Sequence, residues 1–116
     1  MATVFVTGGS GLIGSYLIPA LVAQGHQVRA LYRGQVPAIV NADQVEWVEG
    51  DILDVALLRK ALQGISYVFH SAGLVSYAPQ DAELLQQVNV EGTANIVDAC
   101  LEAEEPIKLC HVSSIA

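Results

Sequence analysis

Apolar positions along this 116-residue chain fall in short blocks that alternate between strand-like and helix-like spacing. Thr3–Thr7, Gln27–Arg33, Val45–Val48, Tyr67–Ser71 and Ile107–Val112 are short β-branched and aromatic runs and read as strands. Between the first two, Leu12, Ile13, Tyr16, Leu17, Ala20 and Leu21 recur at helical spacing, which predicts a helix over Leu12–Gln24 with Gly25 as its C′ residue. Pro19 falls inside that helix and predicts either a kink or one lost hydrogen bond. A second helix is expected over Asp54–Gln63, with Asp54 as N-cap and Gly64 as its stop. The longest helix is expected over Glu83–Ala103, closed by Pro106. The loop holding Pro37, Asn41 and Asp43 carries the weakest pattern.

Strands separated by helices predict an α/β chain, a doubly wound parallel sheet with right-handed crossovers. The near-continuous apolar runs Val4-Phe5-Val6 and Tyr67-Val68-Phe69 suit strands buried on both faces. The expected strand order is 3-2-1-4-5, with a ligand crevice above strands one and four where the order reverses. The other common order, 2-1-3-4-5, calls for a hydroxyl-rich phosphate loop, and Ser10 alone does not supply one. Without a repeat, low-complexity tract or linker, residues 1–116 read as one domain.

The first strand runs into Thr7-Gly8-Gly9-Ser10-Gly11-Leu12-Ile13-Gly14, and Gly8, Gly11 and Gly14 space as G-x-x-G-x-x-G. Such a turn leaves a buried strand sharply and opens a helix whose unpaired N–H groups and dipole favour an anion. A purely structural strand-to-helix turn is the plainer reading; the strand, helix and strand around the glycines favour a dinucleotide. No Lys-Ser or Lys-Thr pair follows, which excludes the other common phosphate loop.

Composition narrows the setting. Apolar residues make up 53% and charged ones 15%, yet no apolar run approaches the roughly 18 residues of a membrane span. No basic region precedes an apolar core at the N-terminus, so a cytoplasmic, membrane-free protein is expected. A net charge of -7 argues against nucleic acid. Cys100 and Cys110, in apolar contexts without C-x-x-C spacing, read as reduced core thiols. His70, amid apolar neighbours, reads as a satisfied core histidine, and no metal-ligand spacing is present.

With these motifs in order, the chain resembles the short-chain dehydrogenase/reductase superfamily, in its extended branch of NAD-dependent epimerases, dehydratases and dihydroflavonol-reductase-like enzymes. The resemblance covers the whole chain and rests on the glycine turn, Gly50-Asp51-Ile52, His70-Ser71-Ala72-Gly73, Asn89-Val90-Glu91-Gly92-Thr93-Ala94-Asn95 and Val112-Ser113-Ser114. It implies a Rossmann-type sheet with the pyrophosphate on Gly8, Gly11, Leu12, Ile13 and Gly14. It also implies adenine contacts from the Asp51 carboxylate and the Ile52 N–H, and space for the cofactor over Ser71, Ala72 and Gly73. Asn89 would hold backbone near strand four, Ser113 would lie near the nicotinamide, and Ser114 would bond the substrate oxygen as the catalytic serine. Each has a structural alternative: a solvated acid or cap at Asp51, a plain turn at Ser71–Gly73, a polar strand end at Ser113 and Ser114. Asn95 is expected to face a loop or solvent.

The family's acid/base pair, Tyr-x-x-x-Lys, lies downstream of the serine, and Tyr16, Tyr32, Tyr67 and Tyr77 all precede it without a Lys four residues on. The expectation is therefore a fragment, truncated after strand five, of an NAD(P)-dependent oxidoreductase or epimerase, inactive as it stands. The alternative is a non-catalytic NADP-binding sensor. NAD sites of this fold place an acid near the end of strand two. Here Leu31-Tyr32-Arg33-Gly34 offers Arg33, suited to a 2′-phosphate, so NADP is expected, with NAD as the alternative. A small carbonyl or hydroxyl compound is the expected substrate. The apolar long helix and an unpaired fifth strand predict a homo-oligomer.

Overall fold

The computed structural model describes residues 2–8, 12–36, 38, 41–71, 83 and 87–111, with residues 12, 13, 87 and 88 described by their backbone alone. The strands are β1 (Thr3–Thr7), β2 (Gln27–Tyr32), β3 (Val45–Glu49), β4 (Tyr67–His70) and β5 (Lys108–His111). The helices are α1 (Leu12–Ala23), α2 (Val55–Ala61) and α3 (Gly92–Glu102). All pairings are parallel, in the order β3-β2-β1-β4-β5. This is the predicted doubly wound sheet with its reversal between β1 and β4.

The sheet separates two apolar layers because strand side chains alternate between its faces. Val4, Val6, Val28, Ala30 and Val45 meet Ile18 and Leu21 of α1. Phe5, Leu31 and Val68 meet Leu58 and Ala61 of α2 and Ile96 and Ala99 of α3. No described helix is long and apolar enough to cross a membrane.

α1 runs unbroken through Pro19, so the proline costs a hydrogen bond rather than the helix. Asp54 caps α2 as predicted, its carboxylate accepting the Leu57 N–H at 3.1 Å. Two expectations change. The long helix is not uniform: Gln87–Glu91 forms a π turn before α3 begins at Gly92, and residues 84–86 lie outside the described set. Cys110 is exposed rather than a core thiol, because its neighbour Leu109 takes the inward position on β5. Cys100 is half-buried, and burial raises its thiol pKa.

Candidate dinucleotide site

Thr7 ends β1 beside His70, which ends β4, and both are buried. The chain then turns at Gly8 with φ 74°. A Cβ on Gly8 would also lie 2.7 Å from the Ser71 carbonyl oxygen, so both the backbone angle and the approach of β4 require glycine. The Ser71 N–H donates to Thr7 Oγ1 at 3.1 Å, and Ser71 Oγ donates to the Thr7 carbonyl at 2.9 Å. These bonds draw the carboxyl ends of the two strands together at the switch point, directly before α1 opens. Gly14 lies buried within the first turns of α1. Gly8 is thus packed against Ser71, a few residues before the start of a helix, the kind of end whose unpaired N–H groups suit an anion.

Two carboxylates hold the backbone of the β3–α2 loop. Asp51 Oδ1 accepts the Leu53 N–H at 2.9 Å, leaving the cap of α2 to Asp54. Asp51 Oδ2 lies 3.8 Å from Arg33 Nη1, just past the end of β2, with both side chains substantially exposed. The fold thus brings together Arg33 and Asp51, which the sequence places 18 positions apart. The Ile52 side chain is buried in the core under Gly92, where a Cβ would approach Ile52 Cγ2 to 2.9 Å. Asn95 Nδ2 donates to the Ile52 carbonyl at 3.2 Å, so it faces a loop as expected, and that loop is the one carrying Asp51. Asn89 is exposed on the π turn.

His70 is the satisfied core histidine the pattern predicted. Its Nδ1 lies 2.8 Å from Thr7 Oγ1, its Nε2 2.9 Å from Thr93 Oγ1, and its ring stacks on His111 with centroids 5.2 Å apart. Burial, then the charge of His111, lowers its pKa to about 4, so the ring is neutral near pH 7. Thr7 and Thr93 were not singled out by the sequence pattern. Their signal was a hydroxyl at the end of an otherwise apolar strand and another just inside a helix start. Gly11, Ala72, Gly73, Ser113 and Ser114 lie outside the described residues. Among the described residues no cluster of His, Cys, Asp or Glu could hold a metal ion.

The sequence profile of the NAD dependent epimerase/dehydratase family matches residues 4–116. The chain belongs to this family. A Synechocystis sp. protein provisionally named dihydroflavonol 4-reductase is 39% identical over 113 residues, 97% of this chain and 32% of that protein. The 4-hydroxy-2-methyl-3-oxo-4-farnesyl-3,4-dihydroquinoline-1-oxide ketoreductase of Stigmatella aurantiaca is 38% identical over 113 residues, covering 97% of this chain and 33% of its own. Among solved structures, a short-chain dehydrogenase/reductase superfamily protein from Agrobacterium tumefaciens with bound NAD is 34% identical. It superposes with a TM-score of 0.70 over 84% of this chain and 28% of its own. The chain spans about a third of the length of the curated relatives it matches. The match to the epimerase/dehydratase family runs from Val4 in β1 through β5 and takes in the three helices described above.

Proposed function

We propose that this chain is the dinucleotide-binding N-terminal portion of an NAD(P)-dependent oxidoreductase or epimerase of the extended short-chain dehydrogenase type. The observation that carries the reading is the clamp at the switch point: Gly8 with φ 74°, pressed on Ser71 and followed by the start of α1. The NAD bound to the Agrobacterium relative supports a nicotinamide dinucleotide here. When bound, that cofactor supplies the hydride exchanged with a carbonyl or hydroxyl carbon of a small substrate.

The chain's own residues bind and orient. Backbone groups of Gly8, Gly11, Leu12, Ile13 and Gly14 hold the pyrophosphate. Asp51 and the Ile52 N–H hold the adenine, and Ser71, Ala72 and Gly73 leave room beneath the cofactor. Asn89 supports the backbone near β4, Ser113 adjoins the nicotinamide, and Ser114 bonds the substrate oxygen. Arg33 binds a 2′-phosphate, which makes NADP the preferred cofactor. What supports this is that its guanidinium is exposed and lies 3.8 Å from the Asp51 carboxylate.

Calorimetric titration of the whole protein with each cofactor tests the reading. NADP is expected to bind at least about tenfold tighter than NAD, as for a charge-assisted pair, and Arg33→Ala is expected to remove the difference. Tighter NAD binding, or a preference unchanged in Arg33→Ala, overturns the choice of NADP. Binding of neither cofactor overturns the whole proposal.

A further inference from the structure

We propose that His70 is a positioning residue: its imidazole bridges the Thr7 and Thr93 hydroxyls and thereby ties the start of α3 to the glycine turn. The inference rests on the reading of that turn as the dinucleotide site, and it concerns a contact no backbone ladder provides. Main-chain pairing joins β1 to β4 and β4 to β5. It does not join α3 to β1. The ring does, spending both of its nitrogens, Nδ1 on Thr7 at 2.8 Å and Nε2 on Thr93 at 2.9 Å.

Counting protons assigns the direction of the chain. Thr7 Oγ1 already accepts the Ser71 N–H at 3.1 Å. Its own proton then goes to His70 Nδ1, since Thr7 has no other side-chain hydrogen bond among the described residues. The ring hydrogen therefore sits on Nε2 and is donated to Thr93 Oγ1. The opposite tautomer would make Thr7 Oγ1 accept twice and strand its hydroxyl proton in a buried site, which is costly. So the tautomer that lets Thr7 hold Ser71 is the one whose Nε2–H is donated to Thr93, which anchors the ring from α3. Ser71 in turn lies against Gly8. His111 stacks on the ring, with the two planes 27° apart.

Thr93→Val removes the distal anchor alone and keeps the volume of the side chain, and Thr93→Ser restores the hydroxyl. Three measurements on the whole protein decide the matter. Ring ¹⁵N shifts at pH 7.5 are expected to show His70 protonated at Nε2. The Ser71 amide in Thr93→Val is expected to exchange about tenfold faster relative to the Val28 amide of β2, which controls for global stability. The dissociation constant for NADP is expected to rise about five- to tenfold, the loss of one part-buried hydrogen bond, and Thr93→Ser to recover both values. Protonation at Nδ1, or a relative Ser71 exchange rate within twofold of wild type, overturns the inference. If the wild type binds no dinucleotide, the proposed function falls, and Ser71 exchange alone still decides whether the clamp exists.

Discussion

Arg29, in the middle of β2, donates from Nη1 to the carbonyl of Ala61, the last residue of α2, at 2.6 Å. The same nitrogen reaches the Gln63 carbonyl at 3.0 Å, and Nε pairs with Glu46, its register partner on β3. The guanidinium thus caps a helix C-terminus whose carbonyls carry negative dipole charge. Arg29→Met is expected to cost about 2 kcal/mol by urea denaturation, two charge-assisted bonds being lost. Glu46→Gln, which breaks only the more exposed ion pair, is expected to cost under about 1 kcal/mol. Equal costs would show that the cap is not what Arg29 contributes.

Gly8→Ala separates backbone strain from collision. Gly8 and Gly25 both have positive φ, 74° and 89°, but only Gly8 has an atom in the way of a Cβ. Gly25→Ala is expected to cost about 1 kcal/mol, the ordinary left-handed penalty. Gly8→Ala is expected to cost at least about 2 kcal/mol more, since the Ser71 backbone must move, and to abolish dinucleotide binding. Thermal melts and calorimetry on the two variants check this, and equal stabilities would overturn the close-approach argument.

Acid should weaken the fold through His70. The ring's pKa falls from 6.5 to about 4 on burial, so between those values the unfolded chain binds the extra proton. Its contribution is complete above about pH 6.5 and is lost as pH falls toward 4. From pH 7.5 to 5.5 the loss is expected to be about 1 kcal/mol, from linkage. Denaturation curves at the two pH values should show it in the wild type and not in His70→Gln.

Self-association is expected through the α3 side. Val90, on the π turn, is 60% exposed and Leu101, near the end of α3, 78%. Covering such residues is worth about 1 to 2 kcal/mol each before entropy. Light scattering at micromolar concentration should show a dimer or larger species, shifted toward monomer by Leu101→Glu. A monodisperse wild-type monomer would overturn the expectation.

The sequence by itself determined what local spacing can encode. Alternating strand-like and helix-like blocks, with glycine at the turn after Thr7, specified five parallel strands in the order 3-2-1-4-5. The motif order carried the family, because each short motif keeps its place along the chain. Only the tertiary structure decided which distant side chains meet. Thr7 and His70 are 63 positions apart, and Arg33 and Asp51 are 18 apart; no periodicity relates them. Their encounter follows from parallel register, which sets Thr7 opposite His70 and His70 opposite His111, and from the packing of α3 over that row. The exposure of Cys110 and the π turn before Gly92 were hidden for the same reason. A one-residue change of face or of helical bonding leaves the apolar pattern almost unaltered, and only packing against the sheet selects between the alternatives.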